Sequence, residues 1–182
     1  GWKIGATNAG SRAALKLVGA LDGFTLSPQG RDCLDVGAST GGFTQVLLAR
    51  GAARVTAIDV GHGQLAPVVA NDPRVVAIEG LNARDLAPTH FPAPPDFVVA
   101  DVSFISLALA LPPALDLAAP GAIGVFLVKP QFEVGREHVG KGGIVRDAAQ
   151  AEAAVDRIAA LLADHGWTAI GRAPAAIAGG DG

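Results

Sequence analysis

The sequence predicts an α/β fold built on a doubly wound, mainly parallel sheet. Short apolar runs of strand length alternate with helix-like segments along the chain, which is the element order of such sheets. The runs are apolar throughout instead of alternating, as is typical of strands buried on both faces. With 182 residues, of which half are hydrophobic and 17% charged, the chain is long and apolar enough to form the core of one domain.

Five apolar runs are the predicted strands, and each contains or precedes a charged residue. In a parallel sheet the carboxyl ends of the strands meet at one edge, where ligands bind beside the point at which the strand order reverses. The runs are 33–36, which contains Asp35, 55–58 ending on Asp59, 75–78 ending on Glu79, 97–100 ending on Asp101 and 123–128 ending on Lys129. We expect Asp35, Asp59, Asp101 and Lys129 to share one site.

Four segments are predicted to be helical: 43–50, 64–71, 105–117 and 151–162. Pro67 suits a first turn or a kink. The pair at 112–113 must break the third helix, because proline removes a backbone donor and clashes with the preceding turn. The last segment is the clearest, since its apolar residues form a stripe at helical spacing that ends before Gly166.

Charge balance and cysteine content restrict the class of protein. The chain has 14 Lys and Arg against 17 Asp and Glu, so no overall basic field attracts nucleic acid and an RNA partner must be held locally. The single cysteine, Cys33, lies in an apolar run and is expected to be buried, which suits a reducing, cytoplasmic compartment. No run approaches the roughly 20 residues of a membrane span and no secretory signal is seen, so no membrane partner is expected. Because the chain begins with Gly-Trp and contains no Met, it reads as a trimmed fragment.

A glycine-rich turn follows the first predicted strand in the stretch CLDVGASTGGFT, residues 33–44. Gly37 and Gly42 fill the outer positions of the dinucleotide fingerprint, but Ser39 occupies the middle one, and no Walker-type Gly-Lys follows. Backbone amides at a helix start suit a small anion such as a carboxylate, and Asp59, 22 positions after Gly37, suits the hydroxyls of a ribose. A carboxylate and a ribose together indicate S-adenosylmethionine, whereas a turn needed only for packing is the alternative.

Two charged residues at the ends of successive predicted strands indicate catalysis. Lys129 follows an apolar run and precedes a proline, so its side chain is expected to be stiffly held and partly desolvated, with Asp101 fixing its direction. A lysine in such surroundings suits proton transfer or holding a hydroxyl for attack. A structural ion pair at the sheet edge is the alternative, and Lys16, in an amphipathic helical turn, is by itself compatible with a solvated surface.

Four motifs, taken in order, resemble those of the FtsJ-type ribose methyltransferases. They are Ser-Arg-x-x-x-Lys-Leu at 11–17, Asp-Val-Gly-x-x-x-Gly-Gly-Phe-Thr at 35–44, Asp-x-Ser-Phe at 101–104 and Val-Lys-Pro-Gln-Phe-Glu at 128–133. Within that family, the stretches DVSFISL, VKPQFEVGRE and GGIVRD resemble the TlyA, or hemolysin A-like, branch. The resemblance runs from about residue 11 to residue 180. It implies a Rossmann-like methyltransferase fold that moves a methyl group from S-adenosylmethionine to a ribose 2′-hydroxyl of ribosomal RNA, with ribosomal subunits and not DNA as partners.

The resemblance also implies roles for individual residues. The family uses a Lys-Asp-Lys-Glu tetrad, whose first three members match Lys16, Asp101 and Lys129. Lys129, oriented by Asp101, is expected to accept or steer the hydroxyl proton, and Lys16 to stabilise the developing alkoxide. The expected cofactor residues are Asp35, Gly37, Ser39, Gly41, Gly42, Phe43, Asp59 on the ribose and Asn82 on the adenine.

Two parts of the family pattern are not found. The glutamate of the tetrad is expected just after AIAGGDG, so the final strand is expected to be missing and the domain, residues 11–182, truncated at its end. Relatives carry a small RNA-binding domain before the Ser-Arg pair, whereas residues 1–10 match nothing in the family and read as a linker or remnant. We therefore expect this chain to bind cofactor but to methylate RNA weakly or not at all.

Contacts to RNA are expected from Ser11 and Arg12 and from a long glycine-rich loop at 130–146, which is either a mobile lid over RNA or a flexible surface loop. The loop residues expected on phosphates are Arg136, Lys141 and Arg146. The histidines and Cys33 show no spacing that suits a metal, so no metal site is expected.

Three alternative functions explain fewer of the features seen in the sequence. Membrane lysis, which the hemolysin name suggests, would need a span, a signal or a strongly cationic amphipathic helix. A small-molecule methyltransferase does not account for the Lys-Asp-Lys pattern. A non-catalytic RNA-binding or ribosome-assembly protein that keeps the fold is the main alternative, and the intact set of Asp35, Asp59, Asp101 and Lys129 argues against it.

Overall fold

A computed structural model of the chain describes residues 11–102, 105–133, 148–173 and 176–181. The strands are β1 Asp32–Val36, β2 Arg54–Asp59, β3 Val75–Glu79, β4 Phe97–Ala100, β5 Ile123–Leu127, β6 Trp167–Ala173 and β7 Ala176–Asp181. The helices are α1 Ser11–Phe24, α2 Gly42–Ala49, α3 Pro67–Ala70, α4 Leu107–Ala110, α5 Pro112–Leu117, α6 Pro130–Glu133 and α7 Ala148–Asp164, with 3-10 turns at Ala83–Asp85 and Pro88–His90. No helix among these residues is long and apolar enough to cross a bilayer.

The seven strands form one sheet in the order β3-β2-β1-β4-β5-β7-β6. Strands β1 to β5 pair in parallel, whereas β7 runs antiparallel to both β5 and β6. The chain moves outward from β1 to β3 and then returns to place β4 on the other side of β1. The strand order therefore reverses between β1 and β4, and the predicted doubly wound, mainly parallel sheet is confirmed.

Hydrophobic side chains cover both faces of the sheet, because successive residues of a strand point to opposite sides. On one face Leu34, Val36 and Phe126 pack with apolar residues of α4, α5 and α7. On the other face Phe97 and Val99 pack with apolar residues of α1 and α2. Burial on both faces explains the continuous apolar runs of the central strands.

Cys33 lies in the second of these cores and is buried, as predicted. Burial raises the pKa of its thiol, and neighbouring acids add to this effect. The side chain therefore acts as a small apolar residue.

The edges of the sheet differ from the prediction. Strand β3 is not buried on both faces: three of its five residues are exposed, because it lies at an edge and α3 is only one turn long. The segment predicted as a helix at 64–71 is accordingly reduced to Pro67–Ala70, with Pro67 in its first turn. The predicted break at Pro112–Pro113 is confirmed, since α5 begins there.

The expectation that the final strand is missing is wrong. Strand β7, Ala176–Asp181, lies between β5 and β6 and is paired with both. Its alanines and glycines gave no strand signal, because they lack the branched and aromatic side chains typical of strands. Close packing explains them: a Cβ on Gly179 would lie 3.2 Å from a methyl group of Leu162 in α7.

Candidate active site

A cavity of about 480 Å³ lies at the carboxyl ends of the central strands, where the strand order reverses. Its size is in the range that binds small organic ligands, and its position is the one at which open α/β sheets bind them. Apolar side chains form most of the wall, with a few polar groups among them. The lining residues are Val36, Gly37, Ser39, Ile58, Asp59, Val60, Gln64, Leu81, Asn82, Ala83, Asp101, Val102, Ile105 and Ala110.

The turn after β1 forms one wall of this cavity and depends on Gly37. Gly37 has a φ of +81°, and a Cβ built there would lie 2.6 Å from the backbone oxygen of Asp101. Only glycine fits this close approach between the turn and the end of β4. The glycine that the sequence pattern singled out is therefore required by the contact between two strand ends.

Asp59 ties the turn to the end of β2. Its Oδ2 accepts a hydrogen bond of 2.7 Å from the backbone N–H of Ser39, and its Oδ1 accepts one of 2.8 Å from that of Gly61. Ser39 has a left-handed φ of +51°, which is unfavourable for a residue that has a Cβ. The hydrogen bond from its N–H to Asp59 stabilises this backbone conformation. Asp59 also lines the cavity, so one carboxylate both shapes the turn and faces the ligand space.

Asp35 lies in β1 beneath this site and is completely buried. Thr44 Oγ1, in α2, donates a hydrogen bond of 2.7 Å to Asp35 Oδ2, whereas Oδ1 has no hydrogen-bond partner among the described residues. Burial, with smaller contributions from the charges of Asp101 and Asp59, raises the pKa of Asp35 to about 7. Asp35 does not line the cavity, so the structure does not place it on the rim with Asp59 and Asp101 as expected.

Lys129 and Asp101 form an ion pair on the same rim, with 2.5 Å between Lys129 Nζ and Asp101 Oδ1. Both side chains are mostly buried, at 24% and 18% exposed. The backbone N–H of Asp101 donates to the Val36 oxygen at 3.1 Å, which fixes this residue against β1. The predicted pairing of a strand-end lysine with a strand-end aspartate is present.

A second cavity, of about 260 Å³, lies on the other side of this pair. Lys129 and Lys16 line it, and Asp101 lines the first cavity, so the ion pair lies between the two spaces. The rest of its wall is made of small or apolar residues: Gly19, Ala20, Leu127, Val128, Ala173 and Ala176. Two lysines in a space lined by small residues favour an anionic ligand of some bulk.

The remaining predicted residues are distributed as follows. Asn82 and Ser39 line the first cavity, whereas Gly41, Gly42 and Phe43 do not; Gly41 caps α2 and Phe43 is buried in the core. Ser11 begins α1, and Arg12 is exposed on it. Arg136, Lys141 and Arg146 lie outside the described residues. Among the described residues no group of three His, Cys, Asp or Glu side chains is placed to hold a metal ion.

The structure also reveals site residues that the sequence reasoning missed. Gln64 and Ile105 line the first cavity, and Glu133 bonds to the loop that follows Asp101. Gln64 carried no signal, because a polar residue at the start of a predicted helix is ordinary. Ile105 and Glu133 belong to stretches already quoted for the resemblance, so their position next to Asp101 and Lys129 could have drawn attention to them.

Comparison with known proteins identifies the family. The pattern of the FtsJ-like methyltransferases matches residues 9–182. The chain is 54% identical over 161 residues to the 16S/23S rRNA (cytidine-2′-O)-methyltransferase TlyA of Mycobacterium tuberculosis, covering 88% of this chain and 60% of that protein. It is 42% identical over 173 residues to Hemolysin A of Brachyspira hyodysenteriae, covering 94% of this chain and 72% of that protein.

A solved structure agrees with this assignment. The crystal structure of a candidate hemolysin from Lactococcus lactis superposes with a TM-score of 0.89 at 38% identity, covering 94% of this chain and 88% of that one. The fold is therefore the Rossmann-like fold of S-adenosylmethionine-dependent methyltransferases. The chain spans about three fifths of the length of its mycobacterial relative. It belongs to the FtsJ-like methyltransferase family.

Proposed function

We propose that the chain carries the catalytic site for transfer of a methyl group from S-adenosylmethionine to a ribose 2′-hydroxyl of ribosomal RNA. The observation that carries this proposal is the Lys129–Asp101 ion pair, which lies between two cavities with Lys16 on the wall of the second. A transferase needs a donor space and an acceptor space that meet at the reacting atoms. The catalytic roles of Lys16, Asp101 and Lys129 are part of the proposal.

The first cavity fits the cofactor in size and in chemistry. The turn at Gly37, whose Cβ-sized space is taken by the Asp101 backbone, suits the methionine part, and Asp59 offers carboxylate oxygens to the ribose hydroxyls. Asn82 and Leu81 both line the cavity and offer a polar and an apolar contact to an adenine. Asp35 is buried in β1 directly before Val36 and Gly37, which line the cavity, and so would act on the cofactor only through its effect on this wall. When bound, S-adenosylmethionine supplies an electrophilic methyl group.

The side chains around the ion pair provide what a hydroxyl nucleophile needs. A ribose 2′-hydroxyl is a weak nucleophile, so a base must take its proton as the oxygen attacks. In this proposal the Lys129 ammonium gives a proton to Asp101, its ion-pair partner, and Nζ then accepts the hydroxyl proton. Lys16 adds positive charge that stabilises the oxygen as its negative charge develops. The two walls hold the reactants in line, which lowers the entropic barrier.

The surface around the second cavity suits RNA. Arg12 precedes Lys16 by four residues in α1, so both lie on one face of the helix, and both are exposed. Together with Lys129 they offer local positive charge in a chain of net charge −3. The mycobacterial relative is a cytidine-2′-O-methyltransferase of 16S and 23S rRNA, which supports ribosomal RNA as the substrate and hence a cytoplasmic reaction.

Labelled methyl transfer tests this function. The protein encoded by the full reading frame around this chain is incubated with S-adenosylmethionine labelled in the methyl group and with separated ribosomal subunits, followed by digestion to nucleosides. We expect label on a ribose 2′-oxygen of at least one subunit RNA. Label on a base, or on neither subunit with cofactor bound, would contradict the proposal and would favour another substrate or a non-catalytic role in ribosome assembly.

A further inference from the structure

Glu133 connects the segment that follows Lys129 with the segment that follows Asp101. Its Oε2 accepts a hydrogen bond of 2.6 Å from the Ser106 hydroxyl, and its Oε1 accepts one of 2.7 Å from the backbone N–H of Leu107. Glu133 is four residues after Lys129, and Ser106 is five residues after Asp101. One partly buried carboxylate therefore links the end of α6, the helix that begins directly after Lys129, to the start of α4.

The two ends of this bridge are fixed in the fold. Ser106 Oγ also accepts from the backbone N–H of Ala108 at 3.0 Å, which caps α4, and Leu107 is buried in the core. On the other side Arg157, in α7, donates to the backbone oxygen of Glu133 at 2.5 Å. The bridge thus joins the rim of the active site to two helices packed on one face of the sheet.

The short path from Glu133 to Lys129 is stiff. The backbone N–H of Phe132 donates to the Lys129 oxygen at 2.9 Å, closing the first turn of α6. Pro130, which follows Lys129 directly, restricts the backbone further. A shift of Glu133 is therefore passed on to the backbone of Lys129.

Both members of the ion pair lie past the regular pairing of β4 with β5. The last register pair between β4 and β5 is Ala100 with Phe126, so Asp101 and Lys129 both lie beyond the ladder. Asp101 has a backbone bond to Val36, and Lys129 follows Leu127, the last residue of β5 paired with β7, by two residues. Lysine also has a long flexible side chain, and fixing it is costly in entropy. A restraint on the segment that follows Lys129 therefore lowers the entropic cost of keeping Nζ on Asp101.

We propose that Glu133 is a positioning residue, which sets the geometry of the Lys129–Asp101 pair by joining the end of α6 to the start of α4. This inference rests on the proposed function for its effect on rate, but the geometric effect on Lys129 does not require that function. Ser106, which donates a hydrogen bond to Glu133, has the same positioning role. Neither residue touches the reactants in this account, so each acts through Lys129 and Asp101.

Two measurements on Glu133→Ala and Ser106→Ala test the inference. The first is the rate of methyl transfer to ribosomal subunits by the full-reading-frame protein, with the dissociation constant for S-adenosylhomocysteine measured beside it. The second uses the chain with its lysines reductively methylated with ¹³C-formaldehyde, so that the NMR signal of Lys129, assigned with Lys129→Arg, reports its surroundings. The matched control is Glu152→Ala, which removes an exposed carboxylate of α7.

We expect Glu133→Ala to lower kcat about 10- to 100-fold while the dissociation constant changes less than about twofold, because orientation and not cofactor binding is lost. The Lys129 signal should move toward that of exposed Lys16, and Ser106→Ala should give a smaller change of the same kind. Glu152→Ala should do neither. If Glu133→Ala does not fold, Ser106→Ala, which keeps the bond to Leu107, decides the question.

Three results would overturn the inference. The first is a Lys129 signal that does not move in either Glu133→Ala or Ser106→Ala, and the second is an unchanged kcat. The third is a fall in kcat accompanied by equal losses of cofactor affinity and melting temperature, which would indicate a purely structural role. If the wild-type protein transfers no methyl group, the proposed function fails, and the Lys129 signal alone decides whether Glu133 positions the pair.

Discussion

Lys129 Nζ lies 2.5 Å from Asp101 Oδ1. Both residues follow the last pair of β4 with β5, which is Ala100 with Phe126. The pair separates a cavity that suits S-adenosylmethionine from a smaller one lined by a second lysine. An ion pair at a bare sheet edge would stabilise the fold only slightly. Its position between two ligand spaces is what makes it a candidate for catalysis.

Asp101→Asn should lower kcat at least about 100-fold, because an amide neither holds the Lys129 ammonium by charge nor accepts its proton. Cofactor affinity should change far less. Single-turnover methyl transfer at saturating cofactor measures the effect, with Asp164→Asn, an exposed aspartate at the end of α7, as the control. Full activity in Asp101→Asn would show that the pair has no part in the reaction.

Gly37→Ala should destabilise the fold by about 2 kcal/mol more than Gly30→Ala does. Both glycines have a positive φ, +81° and +71°, but a Cβ at Gly37 would lie 2.6 Å from the Asp101 oxygen, whereas nothing lies within 4 Å at Gly30. Urea denaturation measures the free energy of unfolding of both variants. The difference between them reports the steric clash with Asp101, because the strain from a positive φ is common to both. Equal losses of stability would mean that the turn adjusts without cost.

Asp59→Ala should weaken binding of S-adenosylhomocysteine at least about tenfold, since it removes the acceptor for the amides of Ser39 and Gly61 together with the carboxylate that faces the cavity. Asp59→Asn keeps one carbonyl oxygen and should lose less. Isothermal titration calorimetry on the three proteins gives the comparison. An unchanged dissociation constant in Asp59→Ala would exclude this residue from the cofactor site.

Asp35→Asn should change how stability depends on pH. The pKa of Asp35 is about 7 in the folded chain and about 4 when unfolded, so between these values the folded state holds the extra proton. Stability of the wild-type chain therefore falls as pH rises from about 4 to 7 and is then level. The asparagine variant lacks this contribution. The difference in free energy of unfolding, variant minus wild type, should therefore be about 2 to 3 kcal/mol more positive at pH 8 than at pH 5.

Urea unfolding of both proteins at the two pH values checks this prediction, without cofactor present. A difference between wild type and Asp35→Asn that stays constant with pH would show that Asp35 does not titrate in this range. Because the pKa is raised by burial, an exposed control such as Asp164→Asn should show no such change.

The central part of the fold was predictable because its strands are buried on both faces. Apolar runs marked β1 to β5, and charged residues at the ends of three of them marked the rim that carries Asp59, Asp101 and Lys129. These features follow from local sequence alone. The exposure of β3, an edge strand, was not predictable in the same way, and neither was β7, an inner strand made mostly of small residues that pack closely against α7.

Site residues were predictable only where the residue type is unusual at its place in the local sequence. Gly37 and Lys129 are unusual in their sequence surroundings, whereas Gln64 and Glu133 are ordinary polar residues whose position depends on how distant segments fold together. Phe43 shows the opposite case. It lies beside the glycine turn in sequence, but α2 directs it into the core.

The most direct test of this account is methyl transfer by Lys129→Met, with wild type beside it. The substitution keeps an unbranched side chain of similar length and removes the nitrogen, so the cavities should be preserved and the dissociation constant for S-adenosylhomocysteine should stay within about twofold. We expect label on the ribose 2′-oxygen to fall at least about 100-fold below wild type. Labelling of the same oxygen at the wild-type rate would contradict the central claim that the Lys129–Asp101 pair performs the transfer.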